Sequence, residues 1–193
     1  MSEATRSVEE HVRKHFSGHS VVSCLPFGGS RGKARLDQLS ILRVSPGPRQ
    51  ALLAHMTVGC WDSVHDVQGH GAEFFMLSRP DAGDARAIEL LTRHAFFHAG
   101  PREQRVAVGD TVFLGEPWVR GSACDHALIS LPYPLGAEFE HCDWNGGHAH
   151  MLWFLPITAR ERAFKVANGV DALESTFEEM AVDFSDPLRL SVV

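Results

Sequence analysis

The chain has 193 residues, 44% apolar and 22% charged, with a formal charge of -6, which is the composition of a folded globular protein rather than a disordered one. No Lys/Arg run is long enough to follow a phosphate backbone, which excludes a nucleic-acid partner and favours a basic or neutral one. About 18 consecutive apolar residues occur nowhere, and the start MSEATRSVEEHVRKHF lacks a signal-peptide core, so a cytoplasmic chain with no membrane role is expected.

Cys24, Cys60, Cys124 and Cys142 lie far apart with no C-x-x-C pair. Neither a zinc ribbon nor a redox motif is written, and reduced, mostly buried thiols are expected. No repeat or low-complexity tract interrupts the chain, which reads as one domain over residues 1–193.

Ser7-Val-Glu-Glu10 has the form of a capping box, and Val8, Val12 and Phe16 follow at helical spacing, which predicts a first helix running to about Phe16 and stopping at Gly18. HSVVSCLPF, RLDQLSILRV, QALLAHMTVGCW and GAEFFMLSRP are short, apolar and bounded by Gly, Pro and Ser, as strands are. Between the first two, Gly28-Gly29-Ser30-Arg31-Gly32-Lys33 has the composition of a phosphate loop. Ala34 occupies the place where that motif needs Ser or Thr, so a plain connecting loop is expected. In DAGDARAIELLTRHAFFHAG, Asp84 can cap a central helix, Ile88, Leu91 and Ala95 share a face, and Gly100 ends it. VAVGDTVFLG, DHALISLPY and HAHMLWFLPI continue as strands. Thr158-Ala-Arg-Glu161 is a second capping box whose helix stops at Asn168-Gly169. A last helix follows, with Leu173, Phe177 and Met180 on its core side. Strand runs between terminal and central helices predict an α+β fold with a mixed, mostly antiparallel sheet.

Chemistry is suggested most by EHCDWNGGHAH. Asn145-Gly146 is a two-residue hairpin signal, and in that register His141 faces His150, Asp143 faces His148, and all four share one face, a plausible zinc or nickel site. Gly147 permits a three-residue loop instead, which would send His141 and Asp143 to the opposite face, so a hairpin without metal is the preferred reading. No cofactor motif and no nucleophile-and-base spacing is present; Ser63, Ser122 and Ser130 lack a G-x-S-x-G frame. Asp62, behind the Gly59 turn, is a candidate polar contact on a loop.

The order of the pieces resembles the suppressor of fused family. It rests on Leu36-Asp37 before a strand, Met56-Thr-Val-Gly59 with Asp62 behind it, GAEFFMLSRP, AIELLTRHAFF, Gly109-Asp110, MLWFLPIT with Glu161 after it, NGVDALESTF and Asp186-Pro-Leu-Arg189. The resemblance implies a protein-binding module and not an enzyme. The animal protein holds an extended segment of a transcription factor as an added strand between two domains. Some bacterial relatives sit beside secreted toxins and look like immunity proteins, so the implied partner is a toxin domain or an extended peptide. The peptide-contacting Asp after a Gly matches Asp110. A contacting Tyr falls near Phe97 or His98, where this chain has no tyrosine, Tyr133 being its only one. Asp110 also has a structural reading, as a turn carboxylate that accepts a nearby backbone N–H.

Overall fold

The computed structural model describes residues 1–28, 36–82 and 84–193. Except for Gly28, the glycine-rich loop lies outside them. The first helix, α1 (Glu3–His15), begins four residues before the predicted box: Ser2 is the N-cap, and its hydroxyl accepts the Thr5 N–H at 3.0 Å. Ser7 and Glu10 are interior helical residues. The earlier start holds because Asp62 accepts both the Ser2 and the Thr5 hydroxyls, at 2.8 and 2.6 Å, an anchor 57 to 60 residues away that no local motif reveals.

Strands β1 (Val21–Cys24), β2 (Ser40–Val44), β3 (Leu53–Val58) and β4 (His70–Ser78) form an antiparallel run in chain order. After α2 (Asp84–His98) come β5 (Thr111–Phe113) and β6 (Cys124–Ser130), a single helical turn α3 (Ala137–Glu140), β7 (His141–Trp144) and β8 (Gly147–Thr158). The sheet order is β1-β2-β3-β4-β8-β6-β5, and among the described residues the β4–β8 pairing alone is parallel. One edge of β8 takes β7 with its first residues and β6 with its later ones. The fold is α+β, with a mixed and mostly antiparallel sheet.

Both faces are covered. Val8, Val12 and Phe16 of α1, Phe139 of α3, and Leu173 and Phe177 of α5 (Val170–Glu179) pack on one side, with Met56, Phe75, Met151 and Trp153 of the sheet. On the other side Ala87, Leu90, Leu91 and Ala95 of α2 meet Phe74, Met76, Leu152 and Phe154. Central strands β3, β4 and β8 are therefore buried on consecutive residues rather than on alternate ones, and polar His55, Thr57 and Glu73 are buried among them. Asp84 is the first residue of α2, and its carboxylate takes Arg43 at 2.9 Å.

Thr158 ends β8 and caps α4 (Ala159–Asn168) in a complete capping box with Glu161, as the sequence predicts. Met180 departs from prediction: it is the C-cap of α5 and 60% exposed, because the chain turns away through Ala181 at φ 47°. Among the described residues no helix is long and apolar enough to cross a membrane.

Candidate functional site

The Gly109-Asp110 turn sets up the most site-like surface. Gly109 sits at φ +88°, its N–H donates to Ile129 O at 2.8 Å, and its carbonyl accepts Lys165 Nζ. The Asp110 carboxylate accepts the Ala107 N–H at 2.8 Å, the turn role its sequence suggests, while the residue stays exposed. From this turn runs β5, the last strand of the sheet order, with no further strand on its outer side among the described residues. The Leu114 N–H donates inward to Asp125 O at 2.9 Å, so by alternation the Phe113 N–H points to the open edge.

Above the edge, Leu90, Arg93, His94 and Phe97 of α2 face Thr111, Val112, Phe113 and Leu114 across a groove of about 430 Å³. Two of its walls are exposed aromatics, Phe97 at 39% and Phe113 at 63%. The structure thus brings Phe97 together with the strand that Asp110 begins. Phe113 was not among the predicted residues. The sequence did not mark it, because the strand predicted over VAVGDTVFLG is longer than the three residues that β5 keeps, and it is that shortness that leaves the ring exposed.

His98 faces the other way. It is buried, its Nδ1 accepts the Val106 N–H at 3.1 Å, and its ring stands edge-on to Phe74 at 5.1 Å. Burial pulls its pKa down to about 4 and that of His94 to about 3, so both are neutral near pH 7. His98 lines a second depression, shared with His70, His148 and His150. Asp62 lies with neither, since its carboxylate is spent on the start of α1.

The hairpin adopts the two-residue register: Trp144 pairs with Gly147, Asp143 with His148, and His141 with His150. Asp143 and His148 bond each other at 2.7 Å. Glu140, which sequence reasoning passed over, reaches both remaining histidines, its Oε1 lying 3.0 Å from His150 Nε2 and 3.3 Å from His141 Nε2. On an extended chain Glu140 and His141 would point to opposite faces. The helical turn α3 ends at Glu140 and removes that constraint.

Two buried carboxylates serve the fold. Glu73 accepts Thr57 Oγ1 at 2.6 Å and the Gly59 and Trp61 N–H groups at 2.9 and 3.0 Å, and burial, against those hydrogen bonds, raises its pKa to about 7. Glu161 is paired in bidentate fashion with Arg189, at 2.6 and 2.8 Å.

A family model for the suppressor of fused protein matches residues 35–190. The chain belongs to the suppressor of fused family. A suppressor of fused homologue from Neisseria gonorrhoeae FA 1090 is 29% identical, with a TM-score of 0.81 over 99% of this chain and 97% of that one. The chain of a Sufu–Fu complex superposes with a TM-score of 0.67 at 13% identity, covering 98% of this chain and 92% of its own. Drosophila Suppressor of Fused gives 0.65 at 12% identity, and there the 98% of this chain that aligns spans 51% of the fly protein. These two share the fold. No curated protein matches by sequence. Of the stretches that carry the suppressor of fused likeness, Met56–Gly59 and GAEFF are joined through Glu73, and Glu161 and Asp186–Arg189 through the buried ion pair. These stretches hold the fold together.

Proposed function

We propose that the chain, folding as one domain over residues 1–193, is a non-enzymatic module that binds a protein in the cytoplasm. We further propose that it acts as an immunity protein against a toxin domain. The observation that carries the reading is the unpaired β5 edge beneath a groove walled by Phe97 and Phe113. An extended partner segment added there gains backbone hydrogen bonds from the edge and places alternate side chains in the groove. Asp110, exposed at the start of β5, and the net charge of -6 would draw a basic segment to that end. One protein of the same fold has been seen in complex with a protein, Fu. A thiol enzyme is disfavoured by the cysteines themselves, because burial raises the pKa of Cys60, Cys124 and Cys142 and leaves them inert.

The test is capture of a partner from host lysate and secreted fraction by three forms of the protein. Phe113→Pro removes the outward N–H without touching the β5–β6 ladder, and Phe113→Thr removes the ring alone. Strand addition predicts loss with Pro and weakened but persistent binding with Thr. Equal capture by wild type and Phe113→Pro refutes docking at this edge. Hydrolysis or other turnover of the captured partner would refute the non-enzymatic reading.

A further inference from the structure

We propose that Glu140, His141 and His150 form a binding site for a divalent transition-metal ion, zinc by its donor set. Two imidazole nitrogens and one carboxylate oxygen converge there, all within 4.8 Å of one another. The spacing is close to what the ion requires: bonds of about 2.0–2.1 Å in tetrahedral geometry set neighbouring donors about 3.3 Å apart. Glu140 Oε1 already stands 3.0 and 3.3 Å from the two Nε2 atoms. The two imidazole nitrogens lie within 4.8 Å of each other, and rotation of the half-exposed His141 ring would close that pair to the roughly 3.3 Å the ion requires.

Backbone geometry supports the arrangement. His141 and His150 are directly opposed across the β7–β8 ladder, their rings stacked at 5.1 Å, and the tight Asn145-Gly146 turn fixes that register. The carboxylate arrives from the end of α3, whose Phe139 is fully buried against Phe16 and Phe75 and holds the turn in place. Glu140 and His150 side chains are 22% and 29% exposed and that of His141 is 52%, so the ion would be reached from solvent past His141. Asp143 and His148 are bonded to each other beside the site, and three protein donors leave a fourth position for water or a donor from a bound molecule. The donor set differs from the one the hairpin sequence suggests, with Glu140 in place of Asp143 and His148, which bond each other instead.

The experiment titrates Zn²⁺ into tag-free, chelator-stripped protein by calorimetry, and reads Co²⁺ substitution by the visible absorption of tetrahedral cobalt. One ion per chain is expected. Glu140→Gln, His141→Ala and His150→Ala should each weaken binding beyond the roughly 10–100-fold that losing an outer-shell partner costs, while Asp143→Asn and His65→Ala leave it intact. Urea midpoints of the variants, matched to wild type, show that they fold. If His141→Ala fails to fold, Glu140→Gln, which keeps the shape of the side chain, decides alone. Absence of saturable binding, substoichiometric uptake, or retention of one ion in Glu140→Gln overturns the proposal.

Discussion

Arg189→Met tests the claim that the suppressor of fused signature at the end of the chain is structural. The guanidinium, 6% exposed, donates twice to Glu161, at 2.6 and 2.8 Å, and to the carbonyls of Pro156 and Leu190 at 3.1 and 3.2 Å. Its face also lies 5.7 and 5.6 Å from the Phe177 and Phe184 ring centres. Methionine keeps most of the aliphatic packing and removes the charge. Glu161, 0% exposed, is then left with the Thr158 and Val192 N–H groups for its charge. Breaking one side of a buried pair costs about 3–5 kcal/mol, a large share of the roughly 5–15 kcal/mol that holds a domain together. For a chain of this length the thermal midpoint should fall by about 6–20 °C. Urea unfolding is the assay, because an unchanged slope separates lost stability from an altered unfolded state. Adding Glu161→Gln should recover part of the loss, since glutamine is neutral and still accepts the Thr158 N–H. A single-variant loss under about 1 kcal/mol, the worth of an exposed pair, would refute the argument.

Glu73 carries a pH signature. Its folded pKa of about 7 lies above the ordinary value, so its contribution to stability is full below the unfolded pKa of 4.5 and is lost as pH rises through about 7. In Glu73→Gln that decline should be absent, so the wild-type-minus-variant difference in urea midpoint should fall as pH rises from about 4.5 to about 7; parallel profiles would show that the carboxyl is not protonated in the fold. His94 and His98 act with opposite sign: with folded pKa values of about 3 and 4, the stability they contribute is present above 6.5 and lost as pH falls toward 3. His98→Gln should therefore shallow the acid limb of unfolding followed by circular dichroism. Asp62→Ala should cost about 1–2 kcal/mol through the start of α1, read by urea unfolding, with partner capture unchanged.

The local signals that worked are those in which a few adjacent residues carry the whole cause. Thr158 and Glu161 cap α4 because each supplies what the other's backbone lacks, and Asn145-Gly146 makes a two-residue turn because glycine tolerates the positive φ. The first capping box failed for the converse reason. Ser7-x-x-Glu10 has the right letters, but Asp62 rewards a start at Ser2, and the helix follows the tertiary anchor. The parallel β4–β8 pairing and the reach of Glu140 depend on how distant strands meet. Among the candidate residues, Phe97 and His98 are neighbours in sequence yet a helix turns them about 100° apart, which sends one into the groove and the other into the core.

That divergence bears on what residue likeness can transmit within this family. Glu73 and Arg189 lie in stretches that resemble it, and their partners are backbone groups, a threonine and a carboxylate of the same chain, so this fold needs them whatever the chain binds. Phe97 and Phe113 stand at an edge where the fold imposes no chemistry beyond an open row of backbone donors and acceptors. An edge strand selects a partner by the side chains around it while supplying the same hydrogen bonds to all. Phe97→Ala should accordingly weaken capture of the partner while leaving the unfolding free energy from urea titration within about 0.5 kcal/mol of wild type, as surface substitutions generally do. Equal loss of stability and binding would place Phe97 in the core and move the site elsewhere.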